Sequence, residues 1–193
     1  MLNDPIVLLV VDALNAENIP FLVVGSLSSN VYGVPRSTKD ADFVIELGSA
    51  SVTSLRAHLP AHYHLDPQIQ FESVTATLRN IIRVEGSPFK VELFRLSNDP
   101  HDQERFRRRV SATVEGRTIY LPTAEDVVVM KLRWARELKR PKDLDDLRNV
   151  ILLQQATLDW DYVNEWCDRH ETREVLEEIR REISTSKTIG GGP

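Results

Sequence analysis

The chain opens on apolar positions that crowd every face and then thin out. Ile6 to Val11 is unbroken, and Asp12, Asn15 and Glu17 follow, so residues 5–18 predict a buried helix. Asp4 before Pro5 suits an N-cap with proline at the first helical position. Phe21-Leu22-Val23-Val24 predicts a short buried strand ended by Gly25. Ser26 to Tyr32 predicts a short helix, stopped by Gly33 and Pro35. Residues 40–47 alternate, with Asp40, Asp42, Val44 and Glu46 on one face and Ala41, Phe43, Ile45 and Leu47 on the other. Ala50 to Leu59 predicts a helix, residues 75–84 and 89–96 two strands joined across Glu85-Gly86-Ser87-Pro88. A last strand pair, Val110 to Val114 and Thr118 to Leu121, flanks Glu115-Gly116.

After Pro122 the texture becomes helical. Thr123 caps a helix with Glu125 and Asp126 in its first turn, running to about Leu138. Pro141 opens a second, to about Gln155, and Asp159 and Glu171 open two more. The expected fold class is α/β (α+β): a mixed-sheet domain over residues 1–122 and a helical region over 123–186. A disordered tail over 187–193 ends in Gly190-Gly191-Gly192-Pro193.

Composition narrows the classes. The chain has 193 residues, 41% hydrophobic and 27% charged, enough apolar material for a packed core. Its net charge of −5 excludes a uniformly basic nucleic-acid coat. Cys167 is its one cysteine, which excludes an intrachain disulfide and a cysteine zinc site. Apolar runs are too short to span a membrane, and the N-terminus lacks the basic segment of a signal peptide, so the expectation is a soluble, cytoplasmic protein. Residues 101–150 carry 12 basic and 9 acidic side chains between flanks that are each net −4. That basic middle suits a polyanion or an ordinary solvated helical surface.

Three groups carry candidate chemistry. Asp40 and Asp42, two apart on a strand, face the same way about 6–7 Å apart, and such carboxylates repel unless a cation lies between them. Oxygen ligands suit a hard ion such as Mg²⁺; the alternative is a solvated edge strand. Gly25-Ser26, where a strand becomes a helix, offers close backbone approach, free N–H groups and a hydroxyl to an anion, or is a plain capped turn. Glu92 shares a strand face with Lys90 and Phe94, either as an exposed acid or as a third metal carboxylate.

Together, Val24-Gly25-Ser26, Asp40-Ala41-Asp42 and Val91-Glu92-Leu93 resemble the motifs of the DNA polymerase beta-like nucleotidyltransferases, and within them the minimal and AbiEii-type proteins. The helix pair containing Glu125-Asp126, Lys131-Leu132, Arg140-Pro141-Lys142-Asp143 and Asp146-Leu147 extends the resemblance, which covers residues 4–155. It implies transfer of a nucleoside monophosphate from an NTP to a hydroxyl of tRNA, a protein or a small molecule, with a toxin–antitoxin setting and a cognate toxin or antitoxin as partner. By the same resemblance Asp40, Asp42 and Glu92 would hold two Mg²⁺ ions, with Glu92 also helping to deprotonate the acceptor. Gly25, Ser26 and Lys131 would contact the triphosphate. Arg36 and Lys39 either contact phosphates or offset the Asp40/Asp42 repulsion. Glu92 departs from the commoner aspartate by one methylene. That leaves open a second reading, a weakly active or inactive nucleotide- or partner-binding module, and a third, a phosphate-ester hydrolase, gives Gly25-Ser26 and Lys131 no role.

Other features are read as structural first. His62-Tyr63-His64 has no third ligand nearby. Arg105 to Arg109 suits RNA phosphates or a solvated helix end. Trp134, Trp160 and Trp166 sit at helical core positions, and the acids after Pro141 suit a helix dipole.

Overall fold

The computed structural model describes residues 2–138 and 141–189. They form two compact units: residues up to Ser28 with Arg36–Thr123, and Ser29–Pro35 with the chain from Ala124 onward.

The first unit begins with α1 (Pro5–Ala16), capped by the Asp4 carboxylate, which accepts from the Ile6 amide at 2.9 Å. β1 (Phe21–Val24) is wholly buried and runs into α2 (Gly25–Tyr32), whose first turn belongs to this unit and whose second belongs to the other. β2 (Asp40–Ile45) follows, then a 3₁₀ turn (Val52–His58), β3 (Tyr63–Leu65), β4 (Gln70–Glu72), β5 (Thr77–Val84) and β6 (Lys90–Arg95). α3 (Pro100–Arg107) and the hairpin of β7 (Val110–Val114) and β8 (Arg117–Leu121) complete it.

The main sheet is mixed, in the order β1-β2-β6-β5-β3, with β4 paired to β5. Among the described residues only β2 and β6 pair in parallel; the β1–β2, β5–β6, β3–β5 and β4–β5 pairs are antiparallel. Alternation assigns its faces. Phe21, Val23, Phe43, Ile45, Val91 and Leu93 point into the main core beside α1. Leu22, Val24, Val44 and Phe94 point the other way, into a smaller cluster closed by Phe106 of α3. Asp40, Asp42, Lys90 and Glu92 continue that second face beyond its apolar patch.

The second unit consists of α4 (Ala124–Leu138), α5 (Pro141–Gln154), α6 (Trp160–Arg169), α7 (Arg173–Ile189) and the Ser29–Pro35 segment. Its core joins Val128, Leu132, Leu147, Val150, Val163, Trp166 and Leu176, with Tyr32 packed against it. Gly33 sits where a β-carbon would lie 3.2 Å from Val150 and 3.3 Å from Asn149, so the segment can approach α5 closely. The Gln154 amide then donates to the Tyr32 carbonyl at 2.9 Å.

Most predicted elements are present within two residues of their expected ends. The Ala50–Leu59 helix is the shorter 3₁₀ turn, and β3, β4 and α3 are additional. α7 runs through Ile189, and the first glycine of the expected 187–193 tail comes at 190. Residues 190–193 lie outside the described residues. Among the described residues, no helix is long and apolar enough to cross a membrane.

Candidate active site

The parallel pairing of β2 with β6 builds the site. Asp40 is the register partner of Lys90, and Asp42 of Glu92, so two acidic steps lie beside an alternating cation and acid on one face. Adjacent strands stand about 4.8 Å apart, which brings Asp42 and Glu92 into each other's immediate surroundings.

Asp42 is also the register partner of Val24, the last residue of β1. The chain turns at the next residue, Gly25, with φ +64°. A β-carbon there would fall 2.1 Å from Asp42 Oδ2 and 3.0 Å from its Cγ. Glycine is therefore required twice, by conformation and by space. The Asp42 carboxylate fills the volume that any other residue's side chain would occupy.

α2 starts at this turn. The Ser26 side chain is buried, and its hydroxyl accepts from Arg36 Nη2 at 2.9 Å, which leaves its proton as a donor. The Arg36 guanidinium is thereby held at the first turn of α2, where helix N–H groups already favour anions. Thr38 donates its hydroxyl to Asp40 Oδ1 at 2.5 Å and fixes that carboxylate. Lys39 is exposed, and its carbonyl accepts from the Lys90 amide at 3.1 Å, extending the β2–β6 ladder by one residue.

Glu92 is buried at 6% exposure and both its oxygens are occupied. Arg79 Nη1 donates to Oε2 at 3.0 Å, and Lys90 Nζ to Oε1 at 2.5 Å. Arg79 lies on β5 diagonal to Glu92, and its other nitrogen donates to Gln70 Oε1 on β4. A carboxylate so enclosed is a neutralised group in an ion cluster, not an open ligand.

The donor chemistry therefore fits a hard divalent cation at Asp40 and Asp42, both oxygen ligands on one partly exposed strand end. It does not extend to Glu92 in this arrangement: among the described residues, no three of His, Cys, Asp and Glu converge as a metal-binding group.

Lys131 lies in the second unit. It is buried, with Nζ donating to Asp143 Oδ1 at 2.8 Å and Asp146 Oδ2 at 2.7 Å. This cluster ties α4 to α5, and Tyr162 on α6 adds a bond from its hydroxyl to the buried Asp126 at 2.6 Å. The structure brings Gly25, Ser26, Arg36, Lys39, Asp40, Asp42 and Glu92 together in one unit and gives Lys131 two carboxylate partners in the other. The basic run 105–109 is largely engaged internally. Arg105 pairs with buried Asp102, Arg107 with Glu104, and Arg109 stacks over Phe106 and Tyr120.

Residues 7–187 match the family described as nucleotidyltransferase of unknown function (DUF6036). The chain belongs to this nucleotidyltransferase family. Similar solved structures have the same fold. The antibiotic-resistance factor ANT(2'')-Ia, solved in complex with adenylyl-2''-tobramycin, is 12% identical with a TM-score of 0.61, covering 88% of this chain and 97% of that one. An antigenic nucleotidyltransferase-like protein from Paracoccidioides brasiliensis is 17% identical with a TM-score of 0.55, covering 89% of each chain. A comparison with curated protein sequences gives no match. The DUF6036 nucleotidyltransferase thus has the mixed α/β fold of its structural neighbours, and it is an enzyme of nucleotidyl transfer.

Two parts of its site had no local signal in the sequence. Arg79 is 13 residues from Glu92 and meets it only through the β5–β6 register. The pressure of Asp42 on Gly25 depends on the β1–β2 register. Lys90 was visible as a same-face neighbour of Glu92, since residues two apart on a strand share a side.

Proposed function

We propose that the chain transfers a nucleoside monophosphate from an NTP to a hydroxyl acceptor at the Gly25–Ser26, Asp40 and Asp42 constellation. The observation that carries this reading is the Asp42 carboxylate seated on Gly25, which joins an acidic strand end to a helix N-terminus. Anionic phosphate oxygens suit the N–H groups of α2, the Ser26 hydroxyl and the Arg36 guanidinium.

Asp40 and Asp42 would hold Mg²⁺, two ions in the reading drawn from the family resemblance. Bound there, the metal would supply positive charge for the reacting phosphate and lower the pKa of the attacking hydroxyl. Thr38 holds Asp40 in place for that task, and the Asp42 position is set by the glycine turn. The acceptor oxygen bonds to the α-phosphorus, and the bond to the bridging oxygen breaks as pyrophosphate leaves. Arg36 and Lys39 would offset the charge that develops on the leaving group. Glu92 would join Asp40 and Asp42 as a ligand only on exchanging Arg79 or Lys90. The nucleotide site is drawn from the α/β unit alone, and the part assigned to Lys131 is to hold the helical unit together.

The acceptor we propose is a hydroxyl of tRNA, a partner protein or a small molecule. The AbiEii-type likeness of the motifs supports a toxin–antitoxin setting. A second reading, a nucleotide- or partner-binding module of little activity, is favoured by one observation, the full neutralisation of Glu92 by Arg79 and Lys90.

Label transfer separates the two. The protein is incubated with Mg²⁺, each of four α-labelled NTPs, and total RNA, total protein or small-molecule extract from the source cells. Label in one fraction, lost with Asp42→Asn, supports transfer and identifies the acceptor class. Saturable NTP binding with no label in any fraction supports the binding module.

A further inference from the structure

We propose a second ligand site in the α/β unit, at the opposite end of β2 and β6 from the carboxylates, suited to an α-amino acid with an apolar side chain. A cavity of about 580 Å³ opens there, lined by the ends of β2 and β6, the 3₁₀ turn and the loop before β4. This lies within the roughly 300–1,000 Å³ of small-molecule sites. The span of β2 from Asp40 to Ile45 puts it about 17 Å from the first carboxylate at ~3.3 Å per residue.

Two of its buried polar atoms lack partners. Asn80 is only 5% exposed, lines the cavity, and its Oδ1 accepts no hydrogen bond. Buried amides in folded proteins are ordinarily satisfied, so this one calls for a donor from elsewhere. Arg95 also lines the cavity, and its Nε is buried without a partner. Glu46 stands at the same cavity, and among the described residues neither it nor Arg95 makes an ion pair. The remaining wall includes Leu47, Val52, Leu65 and Leu96.

The register explains the grouping. Arg95 is the partner of Ile45, and Asn80 of Leu93, so both side chains leave the sheet on the main-core face. Where that core ends, the face becomes polar and the cavity begins. A guanidinium, a carboxylate, an amide acceptor and an aliphatic wall together match a zwitterion with an apolar tail. The ligand carboxylate goes to Arg95, its ammonium to Asn80 Oδ1 and Glu46, and its side chain to the leucines and valine. A simple anion satisfies Arg95 alone and meets the Glu46 charge. A simple hydrocarbon leaves Asn80 and Arg95 unpaired.

The test is a ¹H–¹⁵N correlation titration of the full chain with four probes: L-leucine, L-phenylalanine, leucinamide and 4-methylpentanoate. Leucinamide lacks the carboxylate and 4-methylpentanoate lacks the ammonium. The expected result is saturable shifts at residues 45–53, 80 and 95 with leucine or phenylalanine, and at least tenfold weaker binding of both truncated probes. Arg95→Met weakens leucine binding at least tenfold, and Arg95→Lys recovers part of it. Absence of saturable shifts with all four probes on the unaltered protein overturns the proposal. So does equal affinity for leucine and the two truncated probes. Label transfer is read separately, so this site and the nucleotide site stand or fall independently.

Discussion

The Asp42 carboxylate occupies the space above the Gly25 α-carbon, with Oδ2 2.1 Å from where a β-carbon would be. A turn with φ +64° and an acidic strand end are thus one structural unit. In Gly25→Ala the methyl group would displace Asp42 or the first turn of α2. The left-handed backbone adds a strain of about 1–2 kcal/mol, and a shift near 1 Å at a reacting centre costs on the order of 100-fold in rate. Gly25→Ala is expected to remain folded by circular dichroism, to lose about 1–3 kcal/mol in urea unfolding, and to lose nearly all label transfer. A wild-type transfer rate in this variant would contradict the seat that Gly25 provides for Asp42.

The Arg79–Glu92–Lys90 cluster predicts unequal roles for the acids. Glu92 is enclosed by the cations of Arg79 and Lys90, whereas Asp40 is held by the Thr38 hydroxyl and Asp42 sits against the Gly25 turn. In a Mn²⁺ titration followed by electron paramagnetic resonance, Asp42→Asn should weaken binding more than about tenfold, a difference above ~1.4 kcal/mol. Glu92→Gln should stay within about threefold by the same conversion. Equal losses would place Glu92 among the metal ligands and rule out the cluster as its resting role.

Lys131 should act on stability. Its ammonium is buried between Asp143 and Asp146, so Lys131→Met strands two acids in the helical unit. Breaking such a buried pair costs about 3–5 kcal/mol. Thermal unfolding by calorimetry is expected to show a loss of that order, partly recovered in Lys131→Met/Asp143→Leu. A loss below ~1 kcal/mol, the level of an exposed pair, would show that the cluster contributes little.

Tyr32 makes the helical unit sensitive to alkali. Burial, aided by the charges of Glu125 and Asp126, pushes its phenol up to about 12 from 10.0. The folded form holds its proton more tightly, so the associated stability is full below pH 10 and is lost as pH rises from about 10 to about 12. With its ring partly open to solvent, the effect is about 1 kcal/mol. Denaturant midpoints for wild type and Tyr32→Phe should diverge across that window. Parallel midpoints would show that Tyr32 ionises as freely as in the unfolded chain.

The fold was legible where periodicity and punctuation agree. Asp4-Pro5, Thr123 with its early acids, and the Asp40–Leu47 alternation each combine a boundary signal with a pattern. β3 and β4 have three residues each, too few for alternation to show, and they exist through pairing with β5. α3 has few apolar residues, and its cap on Asp99 was hidden by the polar run around it. The candidate site was legible as a set of residues, because Gly25-Ser26 and Asp40-Ala41-Asp42 are local motifs. The state of its third acid was not, because Arg79 reaches Glu92 across strands. Lys131 was visible as a lysine on a helix, but its two carboxylates depend on the packing of α4 on α5.

The most direct measurement compares α-labelled with γ-labelled NTP in parallel transfer reactions, using wild type and Asp42→Asn. Nucleotidyl transfer at Asp42 gives α-label on the acceptor, γ-label released as pyrophosphate in equal amount, and neither product with Asp42→Asn. Transfer of the γ-label to the acceptor, or α-label transfer that persists in Asp42→Asn, would contradict nucleotidyl transfer at this site.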